Sequence, residues 1–446
     1  MDPAHRLDLD GNLSAWLPAR SNDHPQPALR ASIRADVAIV GGGFTGISTA
    51  YNLSRRCPEK RIVLLEARHL ANGASGRSGG QMLNWIYGTA PDPDLIRYTY
   101  QVTRSTIDAV FETIAAHSLA VSCSRGGVLH VQTTARGAEA AHAQVEQLGQ
   151  LGIPLEYVRR TQLGSWVDIR GAHGAILDRS EGQINGVEYL RAMRSVLLEQ
   201  GVAIYEDTPV LRVREGRTVE LTTPGAQVHA ASVVLAANAY TPRLGYFGST
   251  VFPVICRIAA TPPLSDAELE RAGWRAGAAW SDDTLQLLYV TRTEEGRIVF
   301  GGGPSGYRYQ YGSRTTSRAS RERGSEDLRT MRQLLGRYLP GLTGGPLAHH
   351  WTGPVAMNVR GLSGMIGVRG EHRNVFYGLG YSGHGIVLAN LAGRILTDRI
   401  AGDDHAWRRL PIVQPCLPPI PPEPLRWAGI RLYMGLLGGG HREGLW

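Results

Sequence analysis

"ADVAIVGGGFTGISTAYNLSRRCPEKRIVLLEA", residues 35 to 67, decides the fold. "DVAIV" is a short unbroken apolar run of the kind that a strand buried on both faces requires. Beyond it Ile47, Ala50 and Leu53 recur at near-helical spacing, and "RIVLLEA" is a second apolar run, so the unit reads strand, helix, strand. Gly41, Gly43 and Gly46 stand between the first strand and the helix. Gly41 allows the tight turn, Gly43 lets backbone approach a pyrophosphate, and Gly46 lets helix and strand pack closely. A helix beginning near Phe44 turns its unpaired amides and the positive end of its dipole toward that anion. Glu66, at the end of the second strand, is placed to accept hydrogen bonds from an adenosine ribose and to repel a 2′-phosphate. The unit therefore reads as a dinucleotide cradle that disfavours NADP, with FAD and NAD both open on these residues alone.

Length and composition bound the rest. A chain of 446 residues holds two or three domains of roughly 150 residues and needs no covalent staples. Cys57, Cys123, Cys256 and Cys416 form no C-x-x-C pair and read as reduced thiols of a cytoplasmic protein. The first thirty residues lack the basic start and apolar core of a secretory signal. No apolar run approaches the roughly 20 residues that cross a bilayer. A formal charge of +8 favours anionic cofactors, anionic substrates or nucleic acid. The arginines are scattered, however, without a basic run or a stacked-aromatic module, so nucleic acid is not an expected partner. No metal site is expected.

Further along, residues 100–121 and 135–151 read as helices with the strand "GVLHVQTT" between them, and 186–215 as a helix ended by Gly201 and then two strands. "VHAASVVLAANAYTP" contains another buried strand. "LQLLYVTRTEEGRIVFGGG" is a hairpin around Glu295-Gly296. "NVFYGLGYSGHGIVLANLAGRILTDRIAG", 374 to 402, repeats the grammar of strand, glycine turn and helix near the far end. Two such turns so far apart predict an α/β nucleotide domain assembled from discontinuous segments, with an antiparallel sheet inserted as a second domain. The assignment is an arm over 1–34, a nucleotide domain over 35–100, 150–248 and 345–410, a substrate domain over 101–149 and 249–344, and a proline-rich, amphipathic tail over 411–446. The tail segment "LRWAGIRLYMGLLGGG" suits either peripheral membrane contact or a surface cover.

"GGGFTGISTAYNL", "LEARHLANGASGRSGGQ" and "LGYSGHGIVLANLAGRIL" together resemble the FAD-dependent D-amino-acid oxidase and sarcosine oxidase superfamily, and within it the gamma-glutamylputrescine oxidoreductase-like branch. The resemblance runs in family order from about Trp16 to the proline-rich tail. It implies a glutathione-reductase-like, Rossmann-type FAD domain and non-covalent FAD, since Cys416 lies beyond the second turn and its helix. It further implies that Gly41, Gly43, Phe44, Thr45 and Gly46 hold the FAD phosphates and that Glu66 holds the ribose. Ser75, Arg77, Gly79, Gly80 and Gln81 pass beneath the ribityl chain and flavin, with a solvated loop arginine as the other reading of Arg77. Val210, Ala236 and Ala237 close the adenine end or serve as plain core.

By the same resemblance, the turn through Gly383, Gly385 and Ile386 directs helix amides at the N1 and C2 carbonyl end of the ring, where negative charge builds during hydride transfer to N5. His384 is either close to the ring or a polar helix-start residue. Tyr289 matches a tyrosine that reaches substrate, or packs on its sheet, and Arg292 is a candidate for an anionic group, or is solvated. Val355 stands where amino-acid oxidases carry a carboxylate-clamping arginine, which argues against a small free α-amino acid. Gly364 replaces a family proline. The expected reaction is oxidation of an ω-amino or polyamine-derived amine to an imine, with oxygen reduced to hydrogen peroxide. Alternatives are an N-methyl or D-amino acid dehydrogenase feeding an electron carrier or quinone, a redox-silent FAD protein, and an NAD-dependent dehydrogenase.

Overall fold

The computed structural model describes residues 14–16, 24–84, 92–277, 279–284, 287–302, 317–358 and 364–437. Most of the N-terminal arm and the last residues of the tail lie outside these, as does part of the "GGG" that follows the hairpin.

The opening stretch folds as strand β1 (Ile33–Val40), helix α1 (Phe44–Arg56) and strand β2 (Ile62–Leu65). β1 and β2 are parallel, with Val37 opposite Ile62 and Val40 opposite Leu65. Gln227–Leu235 runs parallel along the other edge of β1, Val375–Leu379 runs parallel beyond it, and Ala203–Tyr205 lies parallel outside β2. Strands far apart in sequence thus form one parallel core, and the unbroken burial of β2 and of Val375–Leu379 explains their continuous apolar runs. The outer edge of Gln227–Leu235 is shared between the antiparallel Val219–Thr222 and the parallel Val375–Leu379. Asn374 holds this fork, its Nδ2 donating to the Gly216 and Ala231 carbonyls at 3.0 Å each.

The helix Gly385–Ala401 is buried along most of its length and packs against α1. Ser48 donates its hydroxyl to the Asn390 carbonyl at 2.8 Å, and a Cβ at Gly393 would overlap Ser48, so the two helices touch at backbone distance.

A second eight-stranded sheet runs in the order His349–Asn358, Val251–Ala260, Ile298–Gly301, Tyr289–Arg292, Ala279–Asp282, Val128–Gln132, Gly174–Asp178 and Glu156–Arg159. Its hairpin turns at Gly296, with φ of +80°. His349–Asn358, Gly174–Asp178 and Glu156–Arg159 come from segments grouped above with the nucleotide domain. Gly174–Asp178 is buried at every residue, the same signature as a parallel-core strand, so periodicity does not reveal which sheet it joins. In the tail, the Ile366 amide donates to the Ile412 carbonyl and the Gln414 amide to the Ile366 carbonyl, and a helix follows at Leu425–Leu437. No described helix is long and apolar enough to cross a membrane.

Candidate active site

Gly41 has φ of +111°, a conformation that side chains disfavour, and a Cβ there would lie 2.8 Å from the Ala236 carbonyl oxygen. A Cβ at Gly46 would overlap the Gly41 carbonyl. These are the turn and the close helix–strand approach that the spacing predicts. Gly43 caps α1 without a side-chain hydrogen bond, and no acidic residue occupies the first helical turn. The Phe44 amide donates to Ser75 Oγ at 3.2 Å, which brings the "GASGRSGGQ" loop against the helix start.

Glu66 is buried, its Oε2 accepting from the Gly42 amide at 2.7 Å and its Oε1 from the Arg68 amide at 3.0 Å. Burial raises its carboxyl above the ordinary range despite those amides. Its carbonyl takes the Thr208 amide at 2.8 Å, which sets the segment leading to Val210 beside it. Val210 is half-buried against the sheet core, and Ala236 and Ala237 back the Gly41 turn.

The second turn meets the first. Tyr381 OH and Thr45 Oγ1 are 2.7 Å apart. The Gly380 amide donates to Asn238 Oδ1 at 2.9 Å, just past Ala237, and the Ser382 amide donates to the Ala356 carbonyl at 3.1 Å. One turn therefore touches α1, the end of the parallel sheet and the second sheet. Gly383, with φ of +101°, is exposed; His384 is the N-cap of the helix that begins at Gly385, with no side-chain cap bond and no acid in its first turn. Ile386 is buried in that turn. Both helix starts offer amides and a positive dipole end with no acidic residue in the first turn, which fits a bound polyanion with an electron-accepting ring.

Arg77 is 5% exposed, so it is not a solvated loop residue. Its Nε donates to the Asn72 carbonyl and its Nη1 to the Thr352 carbonyl, both at 3.2 Å, while the Trp351 indole donates to the Arg77 carbonyl at 3.1 Å. A Cβ at Gly353 would lie 3.1 Å from the Arg77 Cβ, and one at Gly79 would overlap the Tyr289 ring. Gln81 Nε2 donates to the Trp280 and Val290 carbonyls at 3.0 and 3.1 Å. The loop is thus clamped onto one face of the second sheet, and Tyr289 belongs to that face. Burial lifts the Tyr289 phenol well above its usual value, so it remains protonated.

Arg292 is not brought to this site. It sits three residues along the strand from Tyr289, on the opposite face, paired with the exposed Asp266 at 3.3 Å. Gly364 has φ of +136°, unattainable for proline. Among the described residues no group of three or more His, Cys, Asp or Glu side chains could hold a metal.

Not foreseen from sequence are Ser14, Asn238 and Tyr381, and a buried cluster behind the loop. There His130 Nε2 lies 2.8 Å from Glu181 Oε2, the Asn84 amide donates to Glu181 Oε1 at 2.7 Å, and Asn84 Nδ2 donates to Asp178 at 2.8 Å.

A parallel nucleotide sheet with two converging glycine turns, beside a sheet that walls the second turn, defines a flavin-dependent oxidoreductase. The profile of the DAO family, FAD dependent oxidoreductase, matches residues 36–399, and the chain belongs to that family. It is 28% identical over 405 residues to the probable oxidoreductase OrdL of Haemophilus influenzae, covering 88% of this chain and 89% of that one. To the gamma-glutamylputrescine oxidoreductase of Escherichia coli it is 27% identical over 409 residues, covering 87% and 89%. In structure it is similar to the glycine oxidase of Geobacillus kaustophilus, with a TM-score of 0.71 at 20% identity over 85% of this chain and 98% of that one. The L-proline dehydrogenase of P. horikoshii gives 0.69 at 19% over 87% and 96%. The chain is an FAD-dependent oxidoreductase acting on amines or amino acids, with a small molecule as its substrate.

Proposed function

We propose that this enzyme oxidises a primary or secondary amine of an ω-amino or polyamine-derived compound. In this reading Gly41, Gly43, Phe44, Thr45 and Gly46 hold the FAD pyrophosphate and Glu66 the ribose. Val210, Ala236 and Ala237 border the adenine, the Ser75–Gln81 loop runs beneath the ribityl chain, and the Gly383–Ile386 turn faces the ring. When bound, FAD supplies the hydride acceptor. The turn's amides and dipole stabilise negative charge at their end of the site, and His384 sits at that helix start.

The observation that carries the substrate reading is the chemistry of the wall. Cross-strand register puts Tyr289, Gly301, Ile258 and Trp351 in one row. Alternation along the two outer strands then places Cys256 with Gly353, Val254 with Val355 and Phe252 with Met357 on the same face. That face, the one gripped by the Arg77 loop, carries no charged side chain among these residues. A small α-amino acid brings a carboxylate close to the reacting carbon and calls for an arginine fork. A compound whose charge lies at the far end of a chain does not. The apolar wall also favours the neutral amine, since desolvation penalises the ammonium form, and the protonated Tyr289 hydroxyl orients it as a hydrogen-bond donor rather than as a base. The relative named for gamma-glutamylputrescine supports the same substrate class. Oxygen is the electron acceptor in this reading, and the imine hydrolyses to a carbonyl product. The four free thiols support a cytoplasmic location in this reading.

Anaerobic mixing of the yellow protein with a panel of amines tests this. The expected result is bleaching by ω-amino or polyamine-derived compounds and peroxide on readmitting air. Bleaching by α-amino acids alone, or by no amine, contradicts it.

A further inference from the structure

The described residues of the N-terminal arm are fastened to the cofactor loop and, further along, to a buried carboxylate that also holds Leu70. Ser14 donates its hydroxyl to the Gly76 carbonyl, and the Trp16 indole donates to the Ser78 carbonyl at 2.8 Å. Trp16 is only 9% exposed, and a Cβ at Gly80 would lie 3.4 Å from its ring. Further along the arm, the Gln26 amide donates to Glu206 at 2.6 Å, and the fully buried Glu206 also accepts the Leu70 amide at 2.7 Å, where the loop begins.

The Arg77 and Gln81 side chains clamp the loop to the second sheet, but its own regular structure is short. Ala74–Arg77 is a single four-residue 3₁₀ turn, a conformation with weak hydrogen-bond geometry and small intrinsic preference. A backbone segment lying beside an anionic, carbonyl-bearing ligand must turn its carbonyls elsewhere, and a half-buried carbonyl turned elsewhere needs a donor. The arm supplies one to each of two alternate carbonyls, Gly76 and Ser78.

We propose that the N-terminal arm is a clasp on the cofactor loop, with Trp16 and Ser14 as positioning residues that set the affinity and seating of FAD. This rests on the placement of FAD against the Ser75–Gln81 loop. The test is titration of apoprotein with FAD, followed by flavin fluorescence, together with visible circular dichroism of the bound flavin and melting of the apoprotein. Trp16→Ala should weaken FAD binding about tenfold, the loss of one net hydrogen bond and its packing, and Trp16→Phe and Ser14→Ala by roughly half that energy. The visible dichroism should change, and the apoprotein should melt less far below wild type than the holoprotein does. Unchanged FAD affinity and dichroism, with apo and holo forms destabilised alike, overturns the clasp. If Trp16→Ala does not fold, Trp16→Phe and Ser14→Ala decide the matter. A wild-type apoprotein that takes up no FAD defeats the cofactor placement and the clasp with it, whereas equal uptake by wild type and variants defeats the clasp alone.

Discussion

Glu66 serves the protein before it serves a ligand. Its two oxygens take the Gly42 and Arg68 amides, and so fix the turn between β1 and α1 in the shape that Gly41 permits. Burial raises its folded pKa above the unfolded value, and nearby Glu206 adds to the rise. The folded apoprotein therefore holds this proton more tightly than the unfolded chain. Stability from this group is complete below the unfolded carboxyl pKa and is lost as pH rises through the folded one. In Glu66→Gln the amide oxygen still accepts from Gly42, but no buried charge forms. Melting of the apoprotein should lose that pH dependence. FAD should bind about fivefold more weakly, the loss of one hydrogen bond to the ribose of about 1 kcal/mol. Apoprotein melts across pH and an FAD titration check both. Arg77 shows another lesson at the same scale: the sequence leaves a solvated loop arginine as its other reading, and only the fold reveals the carbonyls of Asn72 and Thr352 that bury it.

Elements were legible where the pattern and the punctuation agreed. β1, α1 and β2 follow from two apolar runs around three glycines, and the helix Gly186–Glu199 ends just before Gly201, which adopts φ of +79°. Sheet membership was not legible, because Gly174–Asp178 and Ile62–Leu65 are both buried at every residue although one belongs to each sheet. The strands Val128–Gln132 and Gly174–Asp178 also bring together the His130–Glu181 cluster, which no local pattern announces. Burial lifts the Glu181 carboxyl to about 7. It pushes His130 down, but the Glu181 carboxylate and Asp178 more than reverse this, leaving His130 raised. Both groups bind protons more tightly folded than unfolded, so stability should fall as pH rises through about 7. Glu181→Gln keeps an oxygen for the Asn84 amide and removes the titration. Its loss of stability between about pH 6 and pH 8 should be smaller than that of wild type, by on the order of 1 kcal/mol. Denaturant melts at the two pH values measure the difference.

On the scale of the whole molecule, the proposed cofactor site is built from segments far apart in sequence that arrive at one edge. Thr45 reaches Tyr381, Ala356 takes the Ser382 amide, and Asn238 takes the Gly380 amide. The two glycine turns could be recognised from sequence, since each carries its own strand and helix. The wall opposite them could not, because it is written in cross-strand register: Val254 beside Val355 and Tyr289 beside Gly301 are neighbours only through pairing. For the same reason Arg292, close to Tyr289 in sequence, lies out of reach on the other face. The central claim is that both helix starts grip a single FAD, one at its pyrophosphate and the other at its ring. A crystal structure of the protein with FAD bound measures this most directly. The expected result is density for the pyrophosphate at Gly41–Gly46 and for the isoalloxazine between the Gly383–Ile386 turn and the Tyr289 wall. FAD with its ring outside that turn, or density for a nicotinamide nucleotide at Gly41 in place of FAD, would contradict it.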